Sequence, residues 1–209
     1  MPASAPDAAF RAALGRFPTG VTVVSAVHDD VDHAITASAF TSVSLVPPRV
    51  LVCVDTRTRF HDPMMATRTW AVSILAEEGR DAASWLATRG RPIEHQLDAV
   101  AHHRGPATGA ALLDSALGWL ECRTWRTYDG GDHTIVVGTV VAAAIAVGRD
   151  DPLLYYRSHY GSLVRQPVSE HGPDPLPTDA VQADAVQADP LQADAERPVL
   201  EPGSGSGGG

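Results

Sequence analysis

The sequence predicts a mainly β chain folded as an antiparallel barrel with a few short peripheral helices. Three observations carry this. Seven or more runs are short and rich in β-branched residues, with turn residues between them. These runs do not alternate with long helical patterns, so the chain lacks the βαβ rhythm of a parallel sheet. It also has no Gly-x-Gly-x-x-Gly turn and no phosphate loop, which argues against a Rossmann domain.

Taken in order, residues 3–6 read as a loose end. Asp7 suits a helix N-cap, and Phe10, Leu14 and Phe17 follow at i, i+4 and i+7. That spacing predicts a short helix whose apolar stripe covers one end of the core, stopped by Pro18-Thr19-Gly20. Residues 21–27 predict a strand. Residues 28–33 predict a hairpin turn; its acids and two histidines read as solvated, because nothing nearby completes a metal-ligand set. Residues 34–39 predict the next strand. Pro47-Pro48 forces an extended connection, and residues 49–55 form a strand leading into the donor cluster Thr56-Arg57-Thr58-Arg59-Phe60. Asp62-Pro63 predicts a helix start, with Asp62 as N-cap and Pro63 as the first helical residue.

Residues 70–75 predict a strand, and residues 81–88 a short helix carrying Trp85 and Leu86 inward. Residues 90–109 read as a long irregular excursion, with His102-His103 on a surface loop. Residues 119–126 predict a strand, residues 128–132 a tight turn, and residues 134–147 a long strand kinked at Gly138. Residues 153–157 predict a last short strand.

Composition narrows the function classes. A chain of 209 residues is long enough for a sizeable core and suggests one domain with an appendage. No apolar run reaches the length of a membrane span of about 18 residues, and the N-terminus lacks the basic start of a signal peptide. Cys53 and Cys122 lie far apart in strand-like surroundings and read as buried free thiols of a cytoplasmic protein. The net charge of -9 is uneven: from Pro167 onward eight Asp and Glu face a single Arg, whereas the remainder carries 17 acids and 15 bases. No basic stripe suits nucleic acid. Residues 180–194 repeat Ala-Val-Gln-Ala-Asp twice and then Pro-Leu-Gln-Ala-Asp. A five-residue period builds neither a helical stripe nor a strand face, so residues 167–209 are expected to be a disordered acidic tail appended to a domain over residues 1–166.

The segment Thr36-Ala37-Ser38-Ala39-Phe40-Thr41-Ser42-Val43-Ser44 is dominated by small residues and hydroxyls. As one strand it would put Ser38, Phe40, Ser42 and Ser44 on one face and Ala37, Ala39, Thr41 and Val43 on the other. A flat ligand could lie against such a backbone; an ordinary edge strand with a hydrophilic face would read the same way. The chain shows neither a hydrolytic triad nor a zinc-spaced Cys/His set. The loop Thr58-Arg59 ahead of a helix start would suit an anion.

In combination with Phe17-Pro18-Thr19-Gly20-Val21-Thr22-Val23-Val24, Pro47-Pro48-Arg49-Val50-Leu51-Val52-Cys53-Val54-Asp55, Tyr128-Asp129-Gly130-Gly131-Asp132-His133 and Pro152-Leu153-Leu154-Tyr155-Tyr156-Arg157, this segment resembles the short-chain flavin reductases over about residues 8–164. The resemblance implies a split barrel that binds flavin at a homodimer interface. It also implies an NAD(P)H:flavin oxidoreductase that reduces FMN or FAD by hydride transfer from NADH or NADPH and supplies a partner monooxygenase. Thr36, Ala37, Ser38 and Ala39 would line the isoalloxazine and ribityl chain, with Cys53, Val54 and Asp55 beside them. Thr58, Arg59 and Phe60 would lie at the phosphate end, His133 on the nicotinamide side, and Tyr156 and Arg157 on the dinucleotide. Ser158-His159 departs from the Gly-Arg pair often found in that family. A flavin-binding protein without turnover, or a barrel oxidase like the pyridoxamine phosphate oxidases, would share these features.

Overall fold

The structure is a computed structural model that describes residues 5–148 and 151–164; the expected acidic tail lies outside them. In chain order the elements are α1 (Ala5–Leu14), β1 (Thr19–Gly20), β2 (Thr22–His28), β3 (Val31–Ala37), β4 (Phe40–Leu45), β5 (Pro48–Asp55), α2 (His61–Ala66), β6 (Thr69–Leu75), α3 (Arg80–Ala87), β7 (His102–Arg104), β8 (Ala111–Leu113), β9 (Ala116–Asp129), β10 (His133–Ile145), β11 (Leu154–Tyr156) and β12 (His159–Gly161). Seven strands form one antiparallel sheet in the order β3-β2-β6-β9-β10-β5-β4.

Consecutive strands β3 and β4 stand at opposite edges of that sheet, yet only Ser38 and Ala39 separate them. From Ala37 to Phe40 the chain takes three Cα steps of about 3.8 Å each, far too few to cross a flat seven-stranded sheet. The sheet therefore curls until its edges meet, and the Cys53 amide donates to the Ala39 carbonyl at 3.0 Å, carrying the β4–β5 ladder up to the bend. No ladder pairs β3 with β4 among the described strands, so the barrel is split at this seam. Here the expectation of one strand through Thr36–Ser44 fails: the backbone bends at Ser38-Ala39, and the two-face pattern does not run across the break.

The interior holds Val24, Val52, Val54, Phe60, Met64, Trp70, Val72 and Val136. A second cluster, with Val21, Val23, Leu75, Ala83, Leu86, Leu113 and Leu153, lies between the barrel wall and α3. This explains why residues 22–26 of β2 are buried on both faces, with alternate side chains entering different cores. Trp70 is fully buried and donates from Nε1 to Thr124 Oγ1 at 3.1 Å; its burial contributes on the order of 4 kcal/mol. The expected break in β10 occurs between Val137 and Gly138. Its cause is visible: a Cβ at Gly138 would stand 2.5 Å from Trp70 Cζ2.

Several local expectations need correction. The turn before β3 contracts to Asp29-Asp30, both at positive φ (49° and 60°), because β2 and β3 pair up to His28 and Val31. Helix α1 begins two residues before Asp7. Its stripe covers no core of this chain: Phe10, Leu14 and Phe17 are 64%, 57% and 71% exposed. Helix α2 begins at His61 with Phe60 as N-cap, so Asp62 and Pro63 fall inside its first turn. Leu86 points inward from α3, whereas Trp85 is 39% exposed. Cys122 is buried and its thiol is pushed up to about 12, by burial first and by the neighbouring Glu121; Cys53 is only partly buried.

Candidate functional site

A cleft of about 400 Å³ opens beside the seam. One wall is β3, from His33 to Thr36; another is the end of β5 and the loop after it, with Asp55 and Arg57–Phe60; the third is the end of α3 and the segment after it, with Leu86–Arg91, Ile93 and Gln96. Two hydroxyls fix these walls. Thr36 Oγ1 donates to the Ala83 carbonyl at 2.7 Å, tying β3 to α3, and Thr58 Oγ1 donates to the Asp55 carbonyl at 2.8 Å, closing the loop. Phe60 is 4% exposed and anchors that loop in the barrel core.

Arginines give the cleft its character. The Arg57 guanidinium reaches both oxygens of Asp55, at 3.1 Å and 2.9 Å, and the Arg57 amide donates to the same carboxylate at 2.9 Å. Those bonds hold the Asp55 carboxyl well below the usual carboxylate range and push the Arg57 guanidinium up. Arg59 instead donates to the carbonyl of Arg91. Arg91 is half-buried. Its Nη1 donates to the Thr88 carbonyl at 2.9 Å, and its Nη2 to the Ala34 carbonyl and to Gln96 Oε1, the latter at 3.3 Å. Its Nε is buried without a partner. Burial first, then the charge of Arg59, pushes the Arg91 guanidinium down. Gln96 is held in turn: its Nε2 donates to the Asp32 carbonyl at 2.6 Å, and its own carbonyl accepts from Trp85 Nε1 at 2.7 Å. Among the described residues, no carboxylate pairs with Arg59 or Arg91.

Of the residues singled out from the sequence, Thr36, Asp55, Thr58, Arg59 and Phe60 line this cleft together. Ser38 and Ala39 are exposed at the bend beside it, and Ala37 is partly buried with its carbonyl taken by Thr22 Oγ1 at 2.7 Å. β5 alternates, so Val54 points into the core and Cys53 onto the opposite face; neither forms the cleft wall. His133 stands directly opposite Asp55 in the β5–β10 ladder, and its Nδ1 lies 2.7 Å from Asp132 Oδ1. The Asp132 carbonyl accepts from the Thr56 amide at 3.0 Å and from Thr56 Oγ1 at 3.1 Å, which locks the turn to the β5 end. Asp55, Arg57, Asp132 and His133 thus form one polar cluster at the cleft's edge.

Tyr156 and Arg157 are elsewhere. They belong to the β11–β12 hairpin docked on β1, where Arg157 and Ser158 take positive φ and the Arg157 amide donates to the Gly15 carbonyl at 3.1 Å. Arg89, Gly90, Arg91 and Gln96, which line the cleft, fall in the stretch the sequence marks only as a helix end and an irregular excursion. The available signal was the run Arg89-Gly90-Arg91 just after a helix end, a second basic loop like Arg57–Arg59.

Chemically, the cleft offers fixed cations and backbone groups, with the His133 imidazole near the Asp55 edge. It suits an anionic ligand that the protein holds and orients.

Comparison with known proteins agrees with this picture. Residues 14–164 match the family described as flavin reductase like domain. An NADH-dependent FAD reductase of Streptomyces globisporus is 44% identical over 134 residues, 64% of this chain and 73% of that protein. The reductase component of a 4-nitrophenol 4-monooxygenase/4-nitrocatechol 2-monooxygenase of Rhodococcus opacus is 38% identical over 75% of this chain and 81% of its own. Among solved structures, the flavin reductase component of a bacterial two-component tryptophan halogenase is 41% identical, covers 76% of this chain and 99% of its own, and superposes with a TM-score of 0.71. The Streptomyces globisporus NADH:FAD oxidoreductase SgcE6, solved with NAD and FAD fragments, is 35% identical, covers 82% of this chain and 99% of its own, and gives a TM-score of 0.70.

Proposed function

The chain belongs to the flavin reductase-like domain family, and from that premise we propose how its cleft serves the reaction. The protein is an NADH-dependent flavin reductase that supplies reduced flavin to a separate monooxygenase component. When bound, the flavin accepts a hydride from the reduced nicotinamide. The chain's own task is to hold two rings face to face, within about 3–3.5 Å at the reacting atoms.

The observation that carries the assignment to this cleft is the pair Arg59 and Arg91, two cations without a carboxylate partner, one of them half-buried. Like charges so placed are costly unless an anion joins them, and a flavin nucleotide brings one. In this reading Thr36, Asp55 and the bend at Ser38-Ala39 hold the ring end, and Thr58 and Arg59 the phosphate end. His133 meets the nicotinamide. Tyr156 and Arg157, remote from the cleft of their own chain, would act there only from a second copy. The exposed Phe10, Leu14 and Phe17 support such a homodimer, since an apolar stripe at i, i+4 and i+7 left open on one short segment favours a covering partner.

Mixing the purified chain with NADH and FMN or FAD and following loss of the NADH absorbance tests the activity. Flavin-dependent NADH oxidation is expected; a chain that binds flavin and oxidises no NADH would be a carrier and not a reductase. No described helix is long and apolar enough to cross a membrane.

A further inference from the structure

β3 runs along one wall of the cleft and marks where the Arg91 segment is tied. In the flavin reading Thr36 is at the ring end; two residues back, the Ala34 carbonyl holds Arg91, and two residues further back, the Asp32 carbonyl holds Gln96. Each two-residue step along a strand is about 6–7 Å. The cleft therefore continues past Thr36 by at least one such step, to Arg91, and then reaches His33 and Ile93. Arg59 and Arg91 are coupled through a hydrogen bond from one guanidinium to the carbonyl of the other, which fixes their relative position. Three acceptors from the protein hold Arg91, and none of them is charged.

We propose that this arginine pair reads the diphosphate of a flavin dinucleotide, so that the chain binds FAD in preference to FMN, with Arg91 as the specificity-determining residue. The inference rests on the flavin reading of the cleft. FMN carries one phosphate group, which Arg59 meets at the end of the ribityl chain. FAD carries two in succession, and the second falls to Arg91, leaving the adenosine for the far end of the cleft beside His33 and Ile93. With Nη2 committed to Ala34 and Gln96 and one Nη1 hydrogen to Thr88, Arg91 keeps one Nη1 N–H and its full charge for a phosphate oxygen. Arg91 is already oriented by backbone carbonyls, so little side-chain freedom is lost on binding.

The test is equilibrium binding of riboflavin, FMN and FAD to the full chain, followed by flavin fluorescence, with ADP and AMP as competing probes. The unaltered chain is expected to bind FAD about 10-fold or more tighter than FMN, and ADP should displace FAD far better than AMP does. Arg91→Ala should weaken FAD by about 10-fold or more and FMN by less than about 3-fold. Arg91→Lys should fall between, because it keeps the charge and loses the contacts to Thr88, Ala34 and Gln96 that orient it. Should Arg91→Ala fail to fold, Arg91→Lys and the ADP-against-AMP competition on the unaltered chain decide. FMN bound as tightly as FAD, with ADP no better than AMP, overturns the inference and leaves the flavin reading standing. Absence of binding by riboflavin, FMN and FAD alike overturns the flavin reading itself.

Discussion

Arg57 and Arg91 face the same cleft from opposite walls, and their charges are met in opposite ways. Arg57 closes on Asp55 through a bidentate pair, and both groups are shifted so as to stay charged. Arg91 is held just as firmly, but by carbonyl oxygens that leave its charge unanswered. A paired arginine is a structural strut, and an anion arriving there must compete with the carboxylate already present. An arginine held by neutral acceptors keeps its attraction for a further anion. The difference lies in partners and not in residue type, and it divides the cleft into a self-neutralised edge, with Asp55, Asp132 and His133, and a cationic floor, with Arg59 and Arg91.

The strongest way to break this division is Arg59→Ala. Loss of a charge-assisted contact should weaken FMN and FAD by about 10- to 100-fold and leave riboflavin, which has no phosphate, nearly unchanged. Arg57→Ala, made in parallel, should cost FMN less than about 3-fold. Titrations in which the two variants lose FMN affinity equally would erase the distinction between the neutralised edge and the cationic floor. Next comes His133 on the neutralised edge. His133→Ala should raise the Michaelis constant for NADH by about 5- to 50-fold with flavin affinity barely altered; collapse of flavin binding with an unchanged NADH dependence would assign the imidazole to the other ligand.

The smallest effect is expected from acid. The Asp55 carboxyl is depressed in the folded chain, so its pair with Arg57 contributes stability above the unfolded carboxylate pKa of about 4. That contribution fades as pH falls through the folded value, because the folded state must then take up the proton it had resisted. Melting temperatures of the unaltered chain and of Asp55→Asn should converge on the acid side; parallel curves throughout would show the pair contributes nothing. Arg57 is largely exposed, so the shift will be modest.

The strands were legible because β-branched runs such as residues 21–27 and 49–55 announce themselves locally. The bend at Ser38-Ala39 was not, because small residues suit a strand and a sharp corner alike, and only the strand order forces the corner. The apolar period of Phe10, Leu14 and Phe17 suggests a stripe against the core, but the stripe is open, because periodicity does not say which molecule covers it. Arg59 stood out because it sits in a dense local cluster of donors. Arg91 did not: what defines it is a carbonyl of Ala34, 57 residues earlier, and no window along the chain shows such a contact. The pairing of His133 with Asp55 is likewise a property of register across two distant strands.

The strap from Arg91 and Gln96 has one more consequence, for solubility. β3 is an edge of the large sheet, and edge strands offer unpaired backbone groups to any passing strand. Two of the carbonyls on that open side, Asp32 and Ala34, are already taken by these side chains. Another chain could add a strand there only by first evicting a glutamine and an arginine, so the loop that furnishes the cleft also guards the protein against edge-to-edge aggregation.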